Sequence, residues 1–549
     1  MVTYRSKKSN AGRATLRTTT HFLHIMSRQK NSLLNEALMK DSAEGSPPFE
    51  RPPSSSFVSL ERRSGRDARV LYLNFVAMAV YFSANHGSVT SVIALASSFD
   101  ATLGSYSVGM LYACYVLTAM FAGQYIIEAS SAKKVLVGSL ALYAVYVASY
   151  LVAVIWPGAA WPAVLFGAAV GGVGAGTLWV AQGAYFKVNA SRYALATKGA
   201  TSEEEASGLL SSTFACCYLG LEVALKLTGS LVAKYGAESG KYTVYAIYAV
   251  VAVVCTAMMT TVLDMDPAVA AAEREEAEAA ERRAGGEATG GSDGAAATAS
   301  GGAALPPPPP LKGCDKVTAA VRLLLRNPKC ALMAPTNVAF GFAGACITSY
   351  IQGSVVSPIK DGTDADESRS HHESQVLLYS SLAVGVATAL AAPGFGFHYL
   401  RQRAGSPPVM LIGAACFAFV ALQALTLANG DEDGSAALRS SLWLLYVVYG
   451  AGRSVWESTV KAIFADFFST EDSPAAFANI ILQYGIASVF AFFAFPDFDA
   501  TTKELLLLFT AALGFLSYFT AHVLHTREKK AAAYRELESP AGGGDAGFA

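Results

Sequence analysis

Arg453, Glu457 and Lys461 follow one another at i, i+4 and i+8 inside an otherwise apolar segment, with Ser454 and Ser458 beside them. On a helix these positions form one slowly drifting stripe, so a carboxylate lies between two cations. A charge inside a hydrocarbon-length helix costs at least about 2.5 kcal/mol on insertion scales, and such groups normally face a cavity or a partner. The stripe can therefore form a conformationally sensitive ion pair or coordinate a permeating cation at Glu457. The competing reading is a static pair that pins the helix. Glu222 and Lys226 repeat the i, i+4 arrangement in another apolar segment, where mutual neutralisation into a structural ion pair is the simpler expectation. Asn85, His86, Trp179, Gln182 and Asn337 also lie within apolar segments and are candidates for a substrate pathway. Each polar one could instead be a helix-packing contact, worth about 0.6 kcal/mol on average in membranes. Histidine titrates near neutral pH, so His86 could also relay protons.

Other chemistry has no motif to rest on. The sequence contains no GxSxG elbow, Walker-type loop, HExxH or pair of carboxylates in a soluble domain, so no enzyme and no cofactor are expected. Without an ATP-binding module, any pumping must draw on ion gradients. Seven of the eight cysteines fall in the apolar segments at no metal-ligand spacing and read as small packing residues, with no metal site. A formal net charge of −1 gives no reason to expect nucleic acid.

The elements that position these residues are set by hydropathy. Hydrophobic residues make up 53% of the chain and charged ones 15%, a balance that belongs in lipid rather than water. Twelve apolar segments of spanning length recur, and a segment that crosses lipid must satisfy its own backbone hydrogen bonds, so each reads as a helix. Six lie at roughly 69–95, 106–127, 134–156, 161–187, 205–232 and 243–263, and six more at 329–352, 374–399, 407–428, 439–463, 474–495 and 503–525. The expected organisation is a disordered cytosolic tail (1–68), an N-terminal six-helix bundle (69–263), a flexible Ala/Gly/Pro-rich cytosolic linker with Pro306 to Pro310 (264–328), a C-terminal six-helix bundle (329–525) and a cytosolic tail (526–549). Lysine and arginine favour the cytosolic side. Lys133 and Lys134, Lys187 and Arg192, and Arg401 and Arg403 follow even-numbered spans, which places both termini in the cytosol. The basic, acid-poor start is either a plain cytosolic tail or an organelle transit peptide.

Span four carries Gly171-Gly172-Val173-Gly174-Ala175-Gly176-Thr177-Leu178-Trp179-Val180-Ala181-Gln182-Gly183. Gly167, Gly171 and Gly174 repeat at helical spacing and give a flat face for a close helix neighbour. This run resembles the glycine-rich fourth span of the Unc-93-like family of the major facilitator superfamily, which ends in Leu-Trp-x-Ala-Gln-Gly. Gly450-Ala451-Gly452-Arg453-Ser454-Val455-Trp456-Glu457-Ser458-Thr459, followed by Ala475-Ala476-Phe477-Ala478-Asn479, resembles the same family's spans ten and eleven. Glu128, Lys133 and Lys134 resemble a degraded form of the superfamily's cytosolic loop motif. The resemblance implies an all-α polytopic membrane protein of the major facilitator fold, with twelve transmembrane helices in two six-helix halves, and spans one, four, seven and ten around a central cavity. It also implies either of two uses: gradient-driven transport of a small solute or a cation such as potassium, or a regulatory or trafficking role on a partner membrane protein such as a channel or receptor.

Overall fold

The computed structural model describes residues 55–121, 126, 130–197, 201–235, 240–265, 313–356, 365–392, 396–429, 441–468 and 472–538. Among these residues the regular secondary structure is all helical, without a strand. Helices occupy all twelve predicted segments: α1 Ser55–Phe99, α2 Ala101–Phe121, α3 Ala132–Ile155, α4 Ala160–Ala196, α5 Glu203–Tyr235 and α6 Gly240–Met259 in the first set. The second set is α7 Pro328–Ala345, continued by a π-helical stretch Cys346–Val355; α8 Ala365–Ala391; α9 Ser406–Asn429; α10 Leu442–Ser454, continued by π-helical Val455–Val460 and α-helical Lys461–Phe467; α11 Ser473–Ala494; and α12 Ala500–Glu538.

Ten of the described helices are long and apolar enough to cross a membrane. The protein is an integral, multi-pass membrane protein. The two helices outside that group are α1 and α10, and their content explains why: α1 buries Ser83, Asn85, His86, Ser88 and Ser91, and α10 holds Arg453, Glu457 and Lys461.

Local signals place the helix starts. The Asp100 carboxylate accepts from the Leu103 amide at 2.7 Å at the start of α2, and Ser131 accepts from the Lys134 amide at 3.3 Å at the start of α3. Asn327 accepts from the Lys329 amide at 3.0 Å, with Pro328 at the first helical position of α7, where its missing N–H costs nothing.

Packing repeats with an offset of six. Helix α4 packs on α2 and α3, and α10 packs on α8 and α9. Between the halves, α2 packs on α11 and α5 on α8. The glycines of α4 serve two neighbours rather than the single face expected from Gly167, Gly171 and Gly174. A Cβ on Gly171 would sit 2.7 Å from the Tyr146 Cβ of α3, whereas a Cβ on Gly176 would sit 2.7 Å from the Ala119 amide of α2. Both helices approach so closely that no larger side chain fits between them.

Boundaries differ from the sequence expectation, beginning with α1, which starts at Ser55 inside the segment 1–68 expected to be a disordered tail. A helix Gly313–Arg326 forms inside the segment assigned to the linker, because Ala320 and Leu323 find apolar burial and the Asn479 amide donates to the Ala320 carbonyl at 2.9 Å. The eighth span stops at Ala391 and a short helix Gly396–Ala404 follows; Gly396 has φ 53°, a left-handed turn that a residue without Cβ adopts freely. Helix α12 runs on to Glu538, past the point where the tail was expected to begin. The segments 1–54, 266–312 and 539–549 lie outside the described residues.

Candidate functional site

The two charged motifs, separate in the sequence, meet in space. On α5, Lys226 Nζ lies 2.7 Å from Glu222 Oε1; on α10, Lys461 Nζ lies 2.9 Å from Glu457 Oε2, and Arg453 Nε 3.7 Å from Glu457 Oε1. Arg453 also reaches across to the other half, with its Nη2 3.7 Å from Glu222 Oε2. The result is one alternating chain of charge, Lys226, Glu222, Arg453, Glu457 and Lys461, that passes from the first six helices to the second. Glu222 and Lys226 pair within α5, and the pair is not isolated. Arg453 is shared between two carboxylates that belong to different halves.

Both members of the first pair are buried, Lys226 at 6% and Glu222 at 1% side-chain exposure, and exposure then rises through 16% for Arg453 and 30% for Glu457 to 47% for Lys461. One end is therefore dry and the other wetted. Attraction across about 4 Å strengthens several-fold as the effective dielectric falls from that of water to that of a protein interior, so the Glu222 end is the stronger anchor.

Aromatic hydroxyls surround the charges. Tyr112 of α2, Tyr218 of α5 and Tyr449 of α10 all lie within electrostatic reach of Arg453, Glu222 and Glu457. Sequence reasoning missed these tyrosines, since an isolated tyrosine in an apolar run carries no spacing signal. His86 of α1 belongs to the same neighbourhood: its Nε2 lies 3.0 Å from the Tyr218 hydroxyl, and Glu222 and Arg453 are within reach of its ring. Trp179 packs edge-on against His86 with centroids 5.5 Å apart and against Tyr218 at 5.6 Å. The Trp179 stripe of α4 thus faces inward, and Gln182 beyond it is half-buried.

Other candidates go to packing. The Asn85 amide donates to the Ala252 carbonyl at 2.9 Å and to Thr256 Oγ1 at 3.2 Å, tying α1 to α6. Asn337 joins three helices of the second half: it donates to Gln483 Oε1 at 2.7 Å on α11 and accepts from Trp456 Nε1 at 2.9 Å on α10. The Trp456 ring is stacked on Phe340 at 3.8 Å with 2° between planes, and Lys461 Nζ lies 5.6 Å from its centroid. Of the loop motif, Lys133 and Lys134 open α3, half-buried and exposed, while Glu128 lies outside the described residues. No group of three or more metal-ligating side chains occurs among the described residues.

A family model described as "Ion channel regulatory protein UNC-93" matches residues 96–519. Solved structures with the same arrangement of helices include a variant of the nucleoside transporter NupG, with 13% identity, TM-score 0.53, and coverage of 82% of this chain and 99% of that one. A D-xylose-proton symporter matches at 15% identity and TM-score 0.52, covering 83% of this chain and 96% of that one. The inward-open xylose transporter XylE from E. coli matches at 13% identity and TM-score 0.51, covering 83% and 95%. At these identities the likeness establishes the fold. The family and the structural neighbours are channel regulators or transporters rather than enzymes. The chain, an all-α membrane protein of the major facilitator fold, belongs to the UNC-93 family.

Proposed function

We propose that the protein acts in transmembrane transport, carrying a cation such as potassium by gradient-driven alternating access, with the bundles 69–263 and 329–525 as the two moving units. One observation carries this reading: Arg453 of the second bundle is shared between Glu457 of its own helix and Glu222 of the first. Separating the bundles on the side of this contact breaks the Glu222 arm and leaves the Glu457 arm intact, so the contact has two discrete arrangements. A cation that reaches the carboxylates competes with Arg453 for them, and it shifts the equilibrium only by its difference in affinity between the two arrangements. Inside a low-dielectric interior that difference is large, because a carboxylate left without its partner is costly. Orientation with both termini cytosolic, drawn from the lysine and arginine distribution, places the wetted Lys461 end toward the cytosol.

The second reading, a non-transporting regulator or trafficking chaperone of a channel or receptor, is favoured by the family description alone. Reconstitution into liposomes with potassium and proton indicators separates the two. Transport predicts flux that Glu457→Gln abolishes while the protein still expresses and inserts. Unchanged flux in that variant rejects the role given to Glu457, and a tight seal without flux, with a channel co-purifying, favours the regulator.

A further inference from the structure

A second ionisable centre lies apart from the charge chain, at the opposite end of the second bundle. Lys329, at the start of α7, binds the Phe467 carbonyl at the end of α10 at 3.1 Å and Glu528 near the end of α12 at 2.6 Å, so these three termini share one face. Lys461 lies toward that face. The end of α7, the beginning of α10 and the beginning of α12 share the other, and there Glu504 of α12 is 1% exposed. Its Oε1 accepts a hydrogen bond from the Cys346 thiol at 3.0 Å, and its Oε2 has no hydrogen-bond partner among the described residues.

Lys503 lies within electrostatic reach of it, but no ion pair joins the two. Lys503, its neighbour in sequence, points instead over the Tyr350 ring at 5.2 Å. Cys346 and Tyr350 face Glu504 from α7, and Tyr446 of α10 faces Cys346. Asp499, just ahead of α12, accepts from the Thr502 amide at 3.2 Å, and the Thr502 side chain, more than that amide, holds its carboxyl below the usual range. An ionised carboxylate desolvated with one weak thiol donor is among the costlier groups a protein can bury, and neutralisation by a proton relieves that cost. The residues that hold Glu504 are the π-helical stretch Cys346–Val355. Such i→i+5 turns are rare and occur frequently at functional sites. The same stretch seals the two halves: Ser349 shares a hydrogen bond with Ser105 of α2 at 3.0 Å, and the Ser105 hydroxyl donates to the Phe492 carbonyl of α11 at 2.7 Å.

We infer that Glu504 is a proton-binding site whose charge state controls the π-helical end of α7 and, through Ser349 and Ser105, the seam between the halves on that face. The proton comes from water on that face and returns to it. Protonated, Glu504 stays buried against Cys346 and the seam is closed. Ionised, it draws toward water, the π-helical stretch loosens and the Ser349–Ser105 contact opens. The site functions this way whether the bundles carry a solute or serve a partner protein.

Two readouts on the full chain in lipid nanodiscs test it. Infrared titration detects a protonated-carboxyl C=O band that disappears as pH rises and is missing from Glu504→Gln; Cys346→Ala, which removes the hydrogen-bond donor, shifts that band and serves if Glu504→Gln does not fold. Hydrogen exchange, corrected for the intrinsic pH dependence, shows protection of residues 346–355 falling over the same pH range by a factor of about 5 to 150, the usual span of coupling between sites, and staying constant in Glu504→Gln. Absence of a band that either substitution alters, or a pH-dependent loss of protection that persists in Glu504→Gln, overturns the inference.

Discussion

Helices α4 and α10 occupy equivalent places in the two halves, each packed on two partners within its own bundle, yet they handle their middles differently. Helix α4 is α-helical from Ala160 to Ala196, and its glycines lock it between α2 and α3 at contact distances that leave no slack. Helix α10 begins in the same manner, with Gly450 against Ala383 of α8 and Gly452 against Phe417 of α9, and then changes to π-helix over Val455–Val460. Among the described residues, π-helix occurs only in the second half, in α7 and α10. Glu457 lies within one such stretch and the Glu504 partner Cys346 opens the other. The contrast teaches a division of labour: the first half holds Glu222 and Lys226 on a regular helix as a fixed counter-face, and the second half places Glu457 and the thiol that binds Glu504 on π-helical stretches.

If that division holds, the largest loss follows from disturbing the fixed face. Glu222→Gln leaves the buried Lys226 without its anion and Arg453 with Glu457 alone, and should cost about 3–5 kcal/mol of stability, read as a fall in the thermal unfolding midpoint in detergent. Gly172→Val drives a side chain into the Leu111 carbonyl and Cys114 of α2, and overpacking of this kind costs about 1–3 kcal/mol. Gly183→Val, in the same helix but with nothing near its Cβ position, should stay within about 0.5 kcal/mol of the parent. Equal effects at the two glycines would contradict the locked packing of α4. Trp456→Phe keeps the stack on Phe340 but removes the donor to Asn337, a loss of about 0.6 kcal/mol by the same melt. Lys461→Gln, at the wetted end of the charge chain, should change stability by less than about 1 kcal/mol, and raising salt should erase that difference.

Much of this architecture was legible from residue order. Each span must present about 20 apolar residues, so all twelve helices could be located, and the glycine run of α4 announced a close neighbour, though one rather than two. The i, i+4 spacings gave the pairs within α5 and α10. They could not reveal that Arg453 reaches Glu222, because spacing within one helix does not say which way its stripe faces across a bundle. The π-helical stretches were invisible for a related reason: one extra residue per turn alters no composition, only register. Glu504 was passed over because it stands at the very start of an apolar segment, where a charge is ordinarily solvated. Only packing shows that the π-helical end of α7 covers it. The helix at Gly313–Arg326 was hidden by its neighbourhood, following a proline tract whose chemistry is that of a spacer.

The account rests on Glu222 and Arg453 acting on each other across the two halves. A double-mutant cycle of Glu222→Gln and Arg453→Gln, read by thermal stability in detergent, tests this directly. The structure predicts that the two substitutions together cost less than the sum of each alone, with a coupling of about 1 kcal/mol or more. Effects that add to within about 0.5 kcal/mol would mean that the two groups are independent and that no charge chain ties the halves together.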